Sequence, residues 1–384
     1  MIIDPQIAQM TLEMKKIGLL FIIYYFSFSP VVARDVLVPP SDPAISYIGR
    51  MVKTDPAAYR FNYPGTQIIC AFEGTAIRML TSPCSGYFMV QLDQAEPFKV
   101  SLAGKRDSVV TLAAALSQGR HTLKVVYCIE GYEHQPAFRG FLLPEGTTIA
   151  TPPTLPARKI EFIGNSITCG YGNEINNKYE HFDFATENHY YSYAAIAARQ
   201  LEAQAYIVAR SGIGIYRNYS GPTAGNPDNN MPAEYEYTLY ASSLQQRQST
   251  PDFRQRWDFS QYQPDLVCIN LGTNDVSTKG YDPDSLKRAY SAFLKTVRSH
   301  YPNAHIIFLC GSMLNGPELT VARQTLDEVT TQARNNGDSR VHRFDFTPQA
   351  GDLGYGADWH PSLWQHQKMA AELVSFVRPL MQWF

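Results

Sequence analysis

The segment Thr151-Pro152-Pro153-Thr154-Leu155-Pro156 divides the chain into two stretches of different hydrophobic pattern, and that division limits the folds open to it. Proline fixes φ and removes a backbone donor, so this segment reads as a stiff connector, residues 151–157, between two domains. Ahead of it, from Ile45 to Thr148, short β-like runs are broken by turn residues and no strongly periodic helix occurs. Gln67 to Phe72, Ala76 to Thr81, Gly86 to Leu92, Phe98 to Leu102, Ser108 to Leu112, His121 to Cys128 and Phe138 to Leu143 are the clearest of these runs. Strands at this spacing predict a β-sandwich of the jelly-roll kind over residues 35–150.

Behind the connector, apolar strands alternate with amphipathic helices. Lys159–Ile163, Ala205–Ala209, Leu266–Leu271, His305–Cys310 and Val341–Phe346 read as strands, and His189–Leu201, Pro283–Ser299, Thr320–Arg334 and Leu363–Trp383 carry helical periodicity. That alternation predicts an α/β domain over residues 158–384, a doubly wound parallel sheet with helices on both faces. Asn218 to Trp257, rich in Tyr, Asn, Pro and Gly, is expected to run over the active-site edge of that sheet.

The N-terminus reads as a targeting segment. Met14-Lys15-Lys16 precedes an apolar stretch, Ile17 to Phe28, and then Ser29-Pro30-Val31-Val32-Ala33, which is the pattern of a signal peptide cleaved after Ala33. Residues before Met14 read as a start-site extension, so residues 1–33 are set apart from the fold and the mature chain is expected to be exported, periplasmic or secreted. The apolar stretch is too short for a comfortable membrane span. Of the six cysteines, Cys70, Cys128, Cys268 and Cys310 lie in apolar strand-like runs and behave as small hydrophobes; Cys84 and Cys169 sit in loops. No cysteine pair has metal-ligand spacing, and neither a metal nor another cofactor is expected. Lys plus Arg number 33 against 35 for Asp plus Glu, with no basic stripe, which argues against a nucleic-acid partner.

The chemistry is written at the strand exits. Gly164-Asn165-Ser166-Ile167-Thr168 follows the first strand of the second domain, and Asp358-Trp359-His360-Pro361 lies near the end of the chain. A serine hydroxyl needs a base within hydrogen-bond reach, and histidine has the pKa for that task. Asn165 and Ser166 would serve equally well as helix caps. Ser211-Gly212-Ile213-Gly214 and Gly272-Thr273-Asn274-Asp275 follow the next two strands. Acyl transfer needs donors aimed at a developing oxyanion; the N–H groups of Ser166 and of a glycine such as Gly212, with the amide of Asn274, would supply three. Gly214 competes with Gly212 for the second place. Trp359 either stacks on a pyranose face or packs under its loop, and Tyr216, Arg217 and Asn218 either line the site or brace the long loop. Tyr216 and Asp275 join Trp359 as candidate substrate contacts. His189, His300, His305, His342 and His366 lack matching partners and read as structural.

The four ordered blocks, over roughly residues 157–384, resemble the SGNH (GDSL-like) hydrolase superfamily. That resemblance implies Ser166 as nucleophile, His360 as base, and Ser166, Gly212 and Asn274 as the oxyanion hole. The superfamily usually places an acid three residues before the histidine, and that position here is Ala357. Asp358 is the nearby carboxylate and the candidate orienting acid. This departure, the β-sandwich and the run Ser211 to Asn218 are similar to carbohydrate esterase family 2, the two-domain acetyl esterases of plant-polysaccharide degradation. In that family a backbone carbonyl can orient the histidine instead. The resemblance implies an O-acetyl esterase acting on acetylated carbohydrate through an acetyl-Ser166 intermediate. The alternatives are a lipase or thioesterase of the same superfamily and a non-catalytic carbohydrate-binding protein.

Overall fold

A computed structural model describes residues 35–384 apart from Asp107. The expected signal segment therefore lies outside the described residues, among which no helix is long and apolar enough to cross a membrane. Residues 35–150 form two antiparallel sheets. In one, Ala137–Pro144 pairs with Asp35–Val38, Tyr59–Arg60 and Ile77–Thr81; in the other, Arg120–Tyr127 lies between Gln67–Glu73 and Gly86–Leu92. Alternation sets the sandwich core: Ile77 and Met79 point inward while Arg78 and Leu80 are half-buried. The strands Asp35–Val38, Ser46–Ile48, Tyr59–Arg60 and Thr148–Ala150 add to those read from sequence. They are too short to carry a period of their own.

Residues 158–384 hold the parallel sheet, in the order Ala203–Ala209, Arg158–Gly164, Leu266–Asn270, His305–Cys310, Val341–Asp345. Its strands are buried on both faces. Ile160 and Phe162 pack with Tyr193–Gln200 and Leu363–Met381, whereas Ile163, Val267, Ile269, Ile306 and Phe308 pack with Pro283–His300 and Gly316–Asn335. The helices start where capping chemistry allows: Ser192, Asp282 and Ser362 each accept from an N–H of the first turn, and Pro283 occupies the first helical position, where no amide donor is needed. The first strand in sequence is flanked by the second and third. The sheet therefore reverses direction beside Arg158–Gly164, at the kind of switch point where open α/β sheets bind ligands.

The excursion from Asn218 to Trp257 corrects one expectation. Its first part folds back on the Ser211–Gly214 turn, with Met231 N–H donating to Gly214 O at 2.9 Å. Its later part clasps the sandwich instead of covering the active-site edge. Asn62 donates to Tyr240 O at 2.6 Å and accepts from Tyr240 N–H at 3.0 Å, and Leu239, Ala241 and Phe253 bury against Val52. The tyrosines and asparagines that made this stretch look like a binding loop are spent on that contact.

Candidate active site

Gly164 is in register with Ala209 and with Asn270, so the turns after the first three strands leave the sheet side by side. Ser166 opens the single helical turn Ser166–Cys169, and Asn165 caps it, its Oδ1 accepting from Ile167 N–H at 3.0 Å. Both readings of Asn165-Ser166 therefore hold together: the cap fixes the turn, and the turn presents the serine. A Cβ on Gly164 would meet Thr168 Oγ1 at 2.0 Å, which is why this tight exit takes glycine.

His360 lies 2.8 Å from Ser166, measured from Nε2 to Oγ. Its Nδ1 faces the carbonyls of Ala357 at 3.1 Å and Asp358 at 3.2 Å. Carbonyls only accept, so Nδ1 carries the hydrogen and Nε2 is left as the acceptor toward Ser166. Tyr171 stacks on the imidazole with ring centroids 4.1 Å apart. Burial dominates the titration of His360 and holds it down to about 4, against the opposing pull of the two carbonyls. The ring is thus neutral and able to accept a proton throughout the physiological range.

The carboxylate of Asp358 does not orient that ring. It accepts from Tyr171 Oη at 3.0 Å and Phe182 N–H at 3.2 Å, and meets His181 Nδ1 at 3.0 Å. The reason is backbone geometry: Asp358 and Trp359 both adopt positive φ, 48° and 66°, which turns the Asp358 side chain away and its carbonyl toward His360.

Gly212 and Gly214 are now distinguishable. Gly214 N–H donates to Asn218 Oδ1 at 3.0 Å, and a Cβ there would strike Arg217 O at 1.8 Å. Gly212 has φ 73° with open space where its Cβ would be, and its N–H has no partner among the described residues. Asn274 donates one amide hydrogen to Ile213 O at 2.7 Å, which fixes the amide plane beside that glycine and leaves the other hydrogen.

The three candidate substrate contacts fare differently. Trp359 is 47% exposed and stands on the rim, with Lys178 Nζ 3.9 Å from its ring centroid and Tyr179 and Tyr355 edge-on to it. Tyr216 is buried and its hydroxyl accepts from Asp282 N–H at 2.7 Å, so it braces the loop. Asp275 is fully buried, and its carboxyl oxygens accept from the N–H groups of Ile215, Tyr216 and Arg217. Neither side chain is presented to a substrate. Arg217 is likewise internal, donating to the carbonyls of Gly221, Asp275, Thr278 and Lys279.

Of the histidines read as structural, His189 meets Thr168 O at 2.8 Å, His300 meets Glu236 at 2.7 Å, His305 meets His342 at 3.0 Å, and His366 Nδ1 accepts from Tyr193 N–H at 3.2 Å. Tyr171 and Glu130 are the functional side chains that sequence reasoning missed. An aromatic just past the Ser166 turn was a usable signal for Tyr171; for Glu130, at the end of a sandwich strand, there was none. Among the described residues one group has metal-ligating atoms close together, Glu130, Cys169 and Glu187, within 4.8 Å of one another.

Comparisons with known proteins agree with this geometry. The model of the Carbohydrate esterase 2 N-terminal family matches residues 47–153, and that of the GDSL-like Lipase/Acylhydrolase family matches residues 162–368. The chain is 38% identical over 355 residues to the cellulase/esterase CelE of Acetivibrio thermocellus, covering 91% of this chain but 41% of that protein's length. It is 30% identical over 350 residues to an acetylxylan esterase / glucomannan deacetylase of Cellvibrio japonicus, covering 90% of this chain and 91% of the relative. A family two carbohydrate esterase from Clostridium thermocellum, solved in complex with cellohexaose, superposes with a TM-score of 0.79 at 37% identity, over 88% of this chain and 100% of that one. A sandwich of the family-two kind joined to a GDSL-like hydrolase domain, matched end to end by solved members, places this chain in carbohydrate esterase family 2.

Proposed function

We propose that the protein is an exported carbohydrate O-acetyl esterase that removes acetyl groups from plant polysaccharides or oligosaccharides through an acetyl-Ser166 intermediate. The observation that carries this reading is the 2.8 Å contact between Ser166 Oγ and His360 Nε2, with the other ring nitrogen held by main-chain carbonyls. Nε2 takes the Ser166 proton as Oγ attacks the acetyl carbonyl. The Ser166 and Gly212 N–H groups and the Asn274 amide then hold the oxyanion, and the imidazolium returns its proton to the departing sugar hydroxyl. Water repeats the cycle on the acetyl-enzyme. The relatives' activity on acetylated xylan and glucomannan, as their names state it, and the cellohexaose complex support a carbohydrate substrate. The half-exposed Trp359 at the rim offers a ring face for one.

Replacing Ser166 with Ala is expected to lower kcat on 4-nitrophenyl acetate by roughly 10⁴-fold or more, and acetyl esters should outcompete octanoyl esters in the parent protein. Full activity of Ser166→Ala would sink the assignment, and a preference for octanoyl would move the substrate to lipids.

A further inference from the structure

Ser211 immediately precedes the glycine that completes the oxyanion hole, and it is gripped from the other half of the chain. Its N–H donates to Glu130 Oε1 and its hydroxyl to Glu130 Oε2, both at 2.5 Å. Glu130 lies just past the sandwich strand Arg120–Tyr127 and is fully buried. A bidentate, charge-assisted grip on one residue fixes both position and peptide-plane orientation. The plane in question is the one between Ser211 and Gly212, which contains the Gly212 N–H. Little else steadies it: no atom lies within 4 Å of where a Gly212 Cβ would sit, and the remaining hold on the glycine is its carbonyl, which accepts from Tyr219 N–H at 2.9 Å.

We propose that Glu130, supplied by the β-sandwich, is a positioning residue of the esterase site, fastening Ser211 and thereby aiming the Gly212 N–H at the oxyanion. This rests on the esterase reading above and on the place given there to Gly212.

The surroundings of Glu130 fit such a role. Glu187 accepts the Glu130 backbone N–H at 3.0 Å, and the carboxyl groups of both residues gather with the Cys169 thiol, which closes the helical turn that Ser166 opens. Two buried carboxyl groups this close cannot both ionise. Burial first, and then the neighbouring Glu130, push Glu187 well above the usual carboxylate range, so Glu187 keeps the proton. Its Oε1 has no other partner among the described residues and is free to carry that hydrogen. Burial raises Glu130 as well, but the two bonds from Ser211 and the nearby Arg210 charge pull it back toward the carboxylate that the grip requires. Lys99, which donates to Glu174 at 2.5 Å and to the carbonyls of Ala185 and Glu187, completes the charged groups around the pair. The acids and the thiol thus tie the sandwich, the Ser166 turn and the Ser211 turn into one cluster.

The test compares kcat and KM on 4-nitrophenyl acetate for the full chain and its E130A, E130Q, S211A and E130A/S211A forms at a temperature well below each thermal midpoint. A displacement of about 1 Å in a catalytic donor costs about 10²-fold, so E130A should lose about 10²-fold in kcat with KM little changed. S211A, which keeps the N–H bond, should lose about tenfold, E130Q should recover part of the E130A loss, and the double variant should be no worse than E130A, because both act through one contact. Parent-level kcat in S211A and E130Q overturns the proposal even if E130A does not fold. Losses that multiply in the double variant, or that fall on KM alone, overturn it as well. S166A assayed alongside separates this outcome from failure of the esterase reading, since only that reading fails if S166A stays active.

Discussion

At His360 the work usually given to an acid side chain falls to the main chain. Two carbonyls set which ring nitrogen bears the hydrogen, but they offer the imidazolium less stabilisation than an anion would, and burial lowers the pKa further to about 4. The sign follows directly. The reactive form is the neutral ring, so kcat/KM should hold as pH falls from 7, decline through the folded-state value near 4, and drop about tenfold per unit below it. An acid limb centred near 6.5 in a pH–rate profile would contradict this assignment. The same geometry predicts the behaviour of Asp358→Asn. Asparagine tolerates positive φ, and the altered side chain touches Tyr171, His181 and Phe182 but not the imidazole. Its kcat should stay within about tenfold of the parent, whereas losing the acid of a working triad costs about 10⁴-fold. That difference was not legible in the sequence. The spacing of Asp358 and His360 suits an extended segment in which both side chains point the same way, and only two successive non-glycine residues at positive φ defeat it.

Among the elements, the turn Ser211–Asn218 and the short helix Thr273–Val276 are held together by Asp275. One carboxyl group satisfies three consecutive N–H groups, and its own carbonyl accepts from Arg217 at 3.0 Å. Removing it strands buried donors, so Asp275→Ala should cost on the order of 3 kcal/mol by chemical denaturation and lower activity by releasing the Gly212 turn. Unchanged stability would show that the turn holds its shape unaided. The parallel strands and their helices were readable because apolar residues recur at the right period over long runs. The motif residues were readable because each is fixed by its own strand exit. Asp275 was misassigned as a substrate contact because its motif reports the exit position, whereas its partners come from a turn about 60 residues earlier in the chain.

Over the whole molecule, the two halves of the chain meet through groups that hydrophobic patterning does not reveal. Arg50 and Glu161 are both 0% exposed and pair at 3.2 Å, with Arg50 also donating to the carbonyls of Tyr235 and Tyr237. Tyr235 Oη donates to Glu161 at 2.6 Å. Arg50 follows a sandwich strand and Glu161 sits in the middle of the first parallel strand. Breaking such a pair leaves a charge without its partner, so Arg50→Met alone should cost about 3–5 kcal/mol, while Arg50→Met with Glu161→Leu should cost less than the sum of the single changes. Urea unfolding of the four proteins measures this, and additive costs would show that the pair does not couple the halves. No local signal could have joined these residues, which lie 111 positions apart.

The six cysteines carry a last consequence. All are free thiols; five are buried, and burial pushes Cys70 up to about 12 and Cys310 to about 11. Nothing in this architecture waits on an oxidant. The chain should reach the same fold in a reducing cytosol as in an oxidising exterior, with Cys84 the position most open to alkylation, so its maturation is indifferent to the redox poise of whatever compartment makes it.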